Sequence, residues 1–161
     1  MSASPPGALL AIENLTIAFP GKEIPLVRGV TLTVNEGETV ALVGESGSGK
    51  SLTAQSILRL LPEHARYPSG SILLKGQDTL TMPEKTLRQM RGGVAGMIFQ
   101  EPMTALNPLH TVRKQIGEAL WLHGKTASRA REETLMTLLA SVGLKDTARI
   151  AGAYPHQLSG G

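Results

Sequence analysis

Apolar residues recur along the chain with two different periods, and the places where the period changes mark out its elements. Within residues 8 to 19, Leu15-Thr16-Ile17-Ala18-Phe19 alternates, which predicts a strand with one buried face, ended by Pro20-Gly21. Gly29-Val30-Thr31-Leu32-Thr33-Val34 alternates again before Asn35-Glu36-Gly37-Glu38 turns the chain. Thr39-Val40-Ala41-Leu42-Val43 then runs apolar without alternation, as a buried strand does. From Ser51 to Leu61 the spacing becomes helical, and Pro62 stops it. Pro68-Ser69-Gly70 opens a short strand, Ser71-Ile72-Leu73-Leu74-Lys75, that ends at Gly76. Thr81-Met82-Pro83-Glu84 has the form of a capping box and predicts a helix through about Met90, broken by Arg91-Gly92-Gly93. Val94-Ala95-Gly96-Met97-Ile98-Phe99 is nearly continuous in apolar residues, the pattern of a strand buried on both faces, with Gln100 at its exit.

Beyond Gln100 the character changes. Glu101-Pro102-Met103 and Asn107-Pro108 mark a loop, after which Val112, Ile116, Ala119 and Leu120 share one helical face. Leu135, Leu138, Leu139 and Val142 share another, capped by Gly143. The chain closes on Tyr154-Pro155-His156-Gln157-Leu158-Ser159-Gly160-Gly161, a flexible-looking end with no core-forming composition. The expected organisation is a disordered N-terminus at 1–7, an antiparallel β-layer and α/β core at 8–100, and a helical subdomain inserted at 101–161.

Composition narrows the picture in three ways. At 161 residues and 41% hydrophobic content the chain can bury a core, but with 3% aromatic residues that core must be aliphatic. An aromatic in a loop therefore calls for a reason. No cysteine is present, which excludes disulfides and thiolate metal sites. The net charge of +3 comes from scattered lysines and arginines, the pattern of a solvated face, so no nucleic acid partner is expected. His64, His110, His123 and His156 have no metal-ligand spacing. No run approaches the roughly 20 apolar residues of a membrane span.

The chemistry centres on Gly44-Glu45-Ser46-Gly47-Ser48-Gly49-Lys50-Ser51, which fits G-x-x-x-x-G-K-[ST] at every fixed position, between a predicted strand and a predicted helix. The glycines let backbone N–H groups point inward at a phosphate chain, and the helix offers its positive end to the same anion. Lys50 would reach the β- and γ-phosphates as a point charge, and the Ser51 hydroxyl would ligate a bridging Mg²⁺. Leu52 completes the segment. A glycine-rich turn that binds nothing would not require Lys50-Ser51 after Gly49.

Leu158-Ser159-Gly160-Gly161, taken with this loop, resembles the ATP-binding subunits of ABC transporters. Phe99 to Pro108 is similar to the glutamine loop of the subfamily that imports oligopeptides, dipeptides, nickel and microcin C, and Tyr154-Pro155-His156-Gln157 is similar to the same subfamily. The likeness covers nearly everything from residue 10, and it implies a P-loop NTPase of the ABC ATPase type. It implies that Gln100 contacts Mg²⁺ and the attacking water, although a glutamine can equally cap a strand end. Phe19 corresponds to the aromatic that stacks on adenine. It shares its register with Leu15 and Ile17, so a core role is open to it as well. Ser159, Gly160 and Gly161 would act in trans, closing over the γ-phosphate held by a partner subunit.

The resemblance further implies the cofactors ATP and Mg²⁺ and a head-to-tail pairing with a second ATP-binding subunit or domain. Transmembrane permease subunits, a separate solute-binding protein and a peripheral position at the cytoplasmic membrane face complete the expectation. The family pattern continues past Gly161 with an acidic strand, a catalytic glutamate and a switch histidine. The 161 residues are therefore expected to be the N-terminal part of such a subunit, unable to hydrolyse ATP alone, with an incomplete core sheet that leaves Val40 and Leu42 short of neighbours. Rival readings are a soluble ABC ATPase of DNA repair or translation, a P-loop kinase or GTPase, and a non-catalytic nucleotide-binding remnant.

Overall fold

The computed structural model describes residues 7–100, 105–124 and 127–158 and divides into two compact units, Met1–Gly96 and Met97–Gly161. The first six residues of the N-terminal segment expected to be disordered lie outside the described residues.

The first unit is built on a four-stranded antiparallel sheet in the order β2-β1-β3-β4, with β1 Ala8–Ala18, β2 Val27–Asn35, β3 Arg66–Leu74 and β4 Gln77–Asp78. The central strand carries an irregularity that its sequence pattern conceals. Ile12 pairs with Leu32 and Leu15 with Val30, so β1 spends three residues where β2 spends two. Glu13 and Thr16 face Ser71 and Ser69 on β3 with the same mismatch. The extra residue is Asn14, in the left-handed region at φ 46. This bulge lets Ile12 and Leu15 both face inward despite their odd spacing, and both are fully buried. It also dictates the residue opposite. At Gly70, φ 95, a Cβ would lie 2.6 Å from the Glu13 and Asn14 carbonyl oxygens and from Leu15 Cα.

Glycine at 70 is therefore a strand residue meeting a bulge, which is why β3 starts at Arg66 and not at the predicted Ser71. Pro68 is accommodated at a second irregularity, where Arg66 and Ser69 face Ala18 and Thr16. Ile12, Leu15, Ile17, Val27 and Ile72 form the buried core, with Leu52, Ile57, Leu61, Tyr67 and Leu80 packed against it.

Helix α1, Lys50–Ile57, ends four residues before the predicted Leu61. Arg59 takes the left-handed conformation, its N–H donates to the Ser56 carbonyl, and the Leu60 N–H donates to that of Gln55. This is a Schellman closure with arginine in the usual place of glycine, and it ends the helix whatever the apolar spacing beyond it. Helix α2 spans Glu84–Met90 as predicted, but Pro83 is its N-cap and no side chain caps it, so the expected capping box is absent.

Two predicted strands are not formed. Thr39–Val43 pairs with no described strand, and Val43 is 86% exposed. Val94–Phe99 contributes only one isolated bridge, Ala95 to Arg91, and Ile98 is 95% exposed. Among the described residues both runs lack a neighbouring strand to bury them, the condition expected for Val40 and Leu42.

The second unit packs α3 (Val112–Leu122), α4 (Ser128–Ser141) and α5 (Thr147–Gly152) around Val112, Leu135, Leu139, Ile150 and Ala151. Thr111 Oγ1 accepts from the Lys114 N–H to cap α3, and Asp146 Oδ1 from that of Arg149 to cap α5. Arg113 on α3 pairs with Glu132 on α4. Ile116 and Leu120 pack on the core as expected, but Ala119, Leu138 and Val142 are exposed, while Met136 packs in. The α4 end closes as predicted: Gly143 N–H donates to the Ala140 carbonyl and Leu144 N–H to that of Leu139. Tyr154–Leu158 is not the loose end its composition suggested. Pro155–Gln157 is a 3-10 turn with Pro155 buried, the Tyr154 N–H donates to Gln157 Oε1 at 2.9 Å, and Leu158 packs on the helical core.

Among the described residues no helix is long and apolar enough to cross a membrane.

Candidate functional site

The glycine loop is formed and accessible. Gly44 to Ser48 are exposed, and the Ser48 N–H donates to the Glu45 carbonyl at 3.2 Å, closing the bend. Lys50 folds back over it: its Nζ donates to the Gly44 carbonyl at 2.7 Å, to the Glu45 carbonyl at 2.6 Å and to Ser48 Oγ at 3.4 Å. The ammonium group therefore sits over the concavity the loop makes.

Gly49 is the hinge between loop and helix. It caps α1 in the left-handed region at φ 91, and a Cβ there would lie 2.8 Å from Val27 Cγ2 and 3.1 Å from the Leu26 carbonyl oxygen. Its own carbonyl accepts from both the N–H and the hydroxyl of Thr53, at 2.8 and 3.0 Å. The buried Ser56 hydroxyl continues the chain by donating to the Thr53 carbonyl at 2.6 Å. With that arrangement the N–H groups of Lys50, Ser51 and Leu52 precede the first intrahelical donor, the Thr53 N–H, and remain for an anion at the positive helix end. Ser51 is exposed beside them. A triphosphate with a divalent cation fits this donor set, which offers N–H groups, one ammonium and one hydroxyl ligand.

The β1–β2 connection links this loop to Phe19. It leaves β1 at Phe19, whose carbonyl accepts from the Lys22 N–H at 3.2 Å, and it returns through Leu26, whose N–H donates to the Ile17 carbonyl at 2.9 Å. Leu26 and Val27 are the residues that touch Gly49. Phe19 is half-buried on the same core that Leu52 packs against, and its ring meets His64 edge-on, with centroids 5.7 Å apart at 66°.

Gln100 is exposed and belongs to the second unit. Ser159, Gly160 and Gly161 lie outside the described residues, as do Glu101 to Thr104. The end of the predicted glutamine-loop segment, at Asn107, is tied to His110 just beyond it by one side chain that the sequence reading passed over. Gln115 Oε1 accepts from the Asn107 N–H at 2.9 Å, and its Nε2 donates to the Asn107 and His110 carbonyls at 3.1 and 2.9 Å.

Arg91 is the other residue that sequence reasoning treated only as a helix breaker. Its Nε donates to the Leu58 carbonyl at 2.9 Å and its Nη2 to that of Arg59 at 3.2 Å, which caps the far end of α1. Its Nη1 meets Glu84 Oε1 at 2.8 Å, so α1 and α2 are clamped together. Burial pushes the Glu84 carboxyl up, but hydrogen bonds and charge from Arg91, with Arg88 and Arg59, outweigh it and hold Glu84 below its ordinary value. The neighbouring Tyr67 hydroxyl is pushed up by burial, against the opposing charge of Arg59. Neither Gln115 nor Arg91 stands in a motif, so only the fold reveals them.

Comparison with known proteins agrees with this geometry. The family model described as ABC transporter matches residues 27–161. The chain is 54% identical over 157 residues to the peptidoglycan transport ATP-binding protein YejF of Agrobacterium fabrum, covering 95% of this chain and 29% of that protein. It is 45% identical over 156 residues to the dipeptide transport ATP-binding protein DppD of Bacillus subtilis, covering 95% of this chain and 47% of that one. The chain thus spans less than half the length of these curated relatives. Among solved structures, the dimeric bacterial ABC transporter cassette MJ0796 superposes with a TM-score of 0.79 at 28% identity, over 94% of this chain and 63% of its own. A post-hydrolysis state of the same cassette, bound to ADP and Pi, matches with a TM-score of 0.78.

Proposed function

Because the chain belongs to the ABC transporter family, we propose that it supplies the nucleotide-binding part of an ATPase subunit that powers a peptide-type importer. The observation that carries this reading is the Lys50 ammonium held 2.7 and 2.6 Å from the Gly44 and Glu45 carbonyls, over a loop whose following N–H groups are uncommitted.

In this reading Gly44 to Leu52 cradle the triphosphate of ATP. Lys50 exchanges its loop carbonyls for the β- and γ-phosphates, where its charge is worth most as negative charge shifts in the transition state. The Ser51 hydroxyl ligates Mg²⁺, and Phe19 stacks on the base. Gln100 senses metal and attacking water, while Ser159, Gly160 and Gly161 close over a partner's γ-phosphate. ATP supplies the binding energy that draws two subunits together. Transmembrane permease subunits receive the movement at the cytoplasmic membrane face, and a separate solute-binding protein delivers cargo. Residues 8–100 form the nucleotide half of this arrangement and 101–161 its helical subdomain. In this reading the 161 residues supply ATP binding, and the task of polarising the attacking water is given to none of the described carboxylates. Hydrolysis is assigned to the complete protein.

Titration with Mg-ATP tests the reading. Lys50→Ala is expected to weaken binding at least tenfold, on the scale of losing a charge-assisted contact to phosphate, and to abolish solute uptake in the complete transporter. Unchanged affinity and unchanged uptake would overturn it.

A further inference from the structure

His64 stands where neither composition nor motif gives it a task. It is the third residue of a turn closed by the Ala65 N–H donating to the Pro62 carbonyl at 2.8 Å, so its backbone is fixed immediately before β3 begins. Across the sheet, Ala18 pairs with Arg66, which places the end of β1 beside that turn and Phe19 beside His64. The two rings meet edge to face or nearly so, 5.7 Å apart at 66°. The imidazole is exposed, so it adds little to the core that Phe19 leans on. What it does is stand against Phe19, the aromatic ring at the start of the connection whose Leu26 and Val27 approach Gly49.

We propose that His64 is a second base-recognition residue: with Phe19 it forms an aromatic corner that receives the purine of the nucleoside triphosphate. The inference rests on the assignment of Phe19 to the base. The core holds the phenylalanine and His64 stands 5.7 Å from its ring, so the ring is restrained before the base arrives, at little further entropic cost. The imidazole also brings a nitrogen that can donate to or accept from a purine edge, which a phenylalanine cannot supply.

Two probes separate base recognition from phosphate recognition: Mg-ATP, and Mg-tripolyphosphate, which has no base. Both are titrated calorimetrically into the full chain and three variants. His64→Ala is expected to weaken ATP about threefold to tenfold, the scale of an aromatic pair, and to leave tripolyphosphate unchanged. His64→Phe should recover part of the lost ATP affinity, since it retains the ring but not the imidazole nitrogen, and no recovery at all would overturn the aromatic corner. Equal losses for both probes in His64→Ala would reduce the residue to a scaffold and overturn the proposal, as would an ATP affinity equal to that of the unaltered chain. Phe19→Ala reports on the underlying assignment separately: if it leaves ATP affinity unchanged, the base does not lie on Phe19 and the proposal falls with that assignment. If Phe19→Ala weakens ATP and His64→Ala does not, Phe19 stands and His64 alone is rejected.

Discussion

Two stretches of the first unit are about equally apolar and meet opposite fates. Ala11, Ile12, Leu15 and Ile17 on β1 are buried, while Val40, Leu42 and Val43, twenty-odd residues later, are exposed. The difference lies in their neighbours. β1 has a hydrogen-bonded strand on each side, and α1 packs Leu52 and Ile57 against its inner face. Thr39–Val43 has no described strand beside it. A run of hydrophobic residues states a demand for burial, and only its partners can meet it.

The sharpest way to break this contrast is to truncate a side chain on each stretch and follow urea unfolding of the chain. Ile12→Ala should destabilise by about 3 kcal/mol, the usual result of opening a cavity in a core with no room to collapse. Gly70→Ala comes next, at about 2 kcal/mol, because its Cβ must displace backbone atoms of the bulge and not a flexible side chain. Arg91→Ala removes the donors that cap α1 and should cost about 1 to 2 kcal/mol.

The acid limb of the stability curve reads the same clamp. The Glu84 carboxyl lies below its ordinary value in the folded chain, so its contribution is complete above the ordinary carboxylate pKa and disappears as pH falls through the lowered one. Glu84→Gln should flatten that limb in pH-dependent unfolding. Smallest of all, Leu42→Ala should change stability by less than about 0.5 kcal/mol. A loss as large as that of Ile12→Ala would show that the stretch is packed after all.

The β-layer and the helical layer were legible because alternation and 3.6-residue spacing report directly on a buried face, and Leu15, Ile17, Leu135 and Leu139 obey them. The loop at Gly44 to Ser51 was legible for a different reason: its residues form a spelled motif, which in the proposed reading the geometry of a phosphate ligand fixes. What stayed hidden depends on contacts between distant residues. Gly70 looked like a turn because its reason is a bulge at Asn14, 56 positions earlier. Leu58 to Leu61 continued a helical pattern that Arg59 ends by adopting a left-handed backbone no local rule assigns to arginine. Thr39–Val43 and Val94–Phe99 were read as buried because continuous apolarity does not say whether a partner strand is at hand.

The Lys50 ammonium bears on how quickly a nucleotide can be captured. Having already surrendered much of its hydration to the Gly44 and Glu45 carbonyls, it does not have to shed that water as an anion approaches. In the proposed reading an incoming phosphate would take the place of those two amide oxygens, and on its departure the same oxygens would take the charge back, so neither loading nor unloading would expose a bare cation.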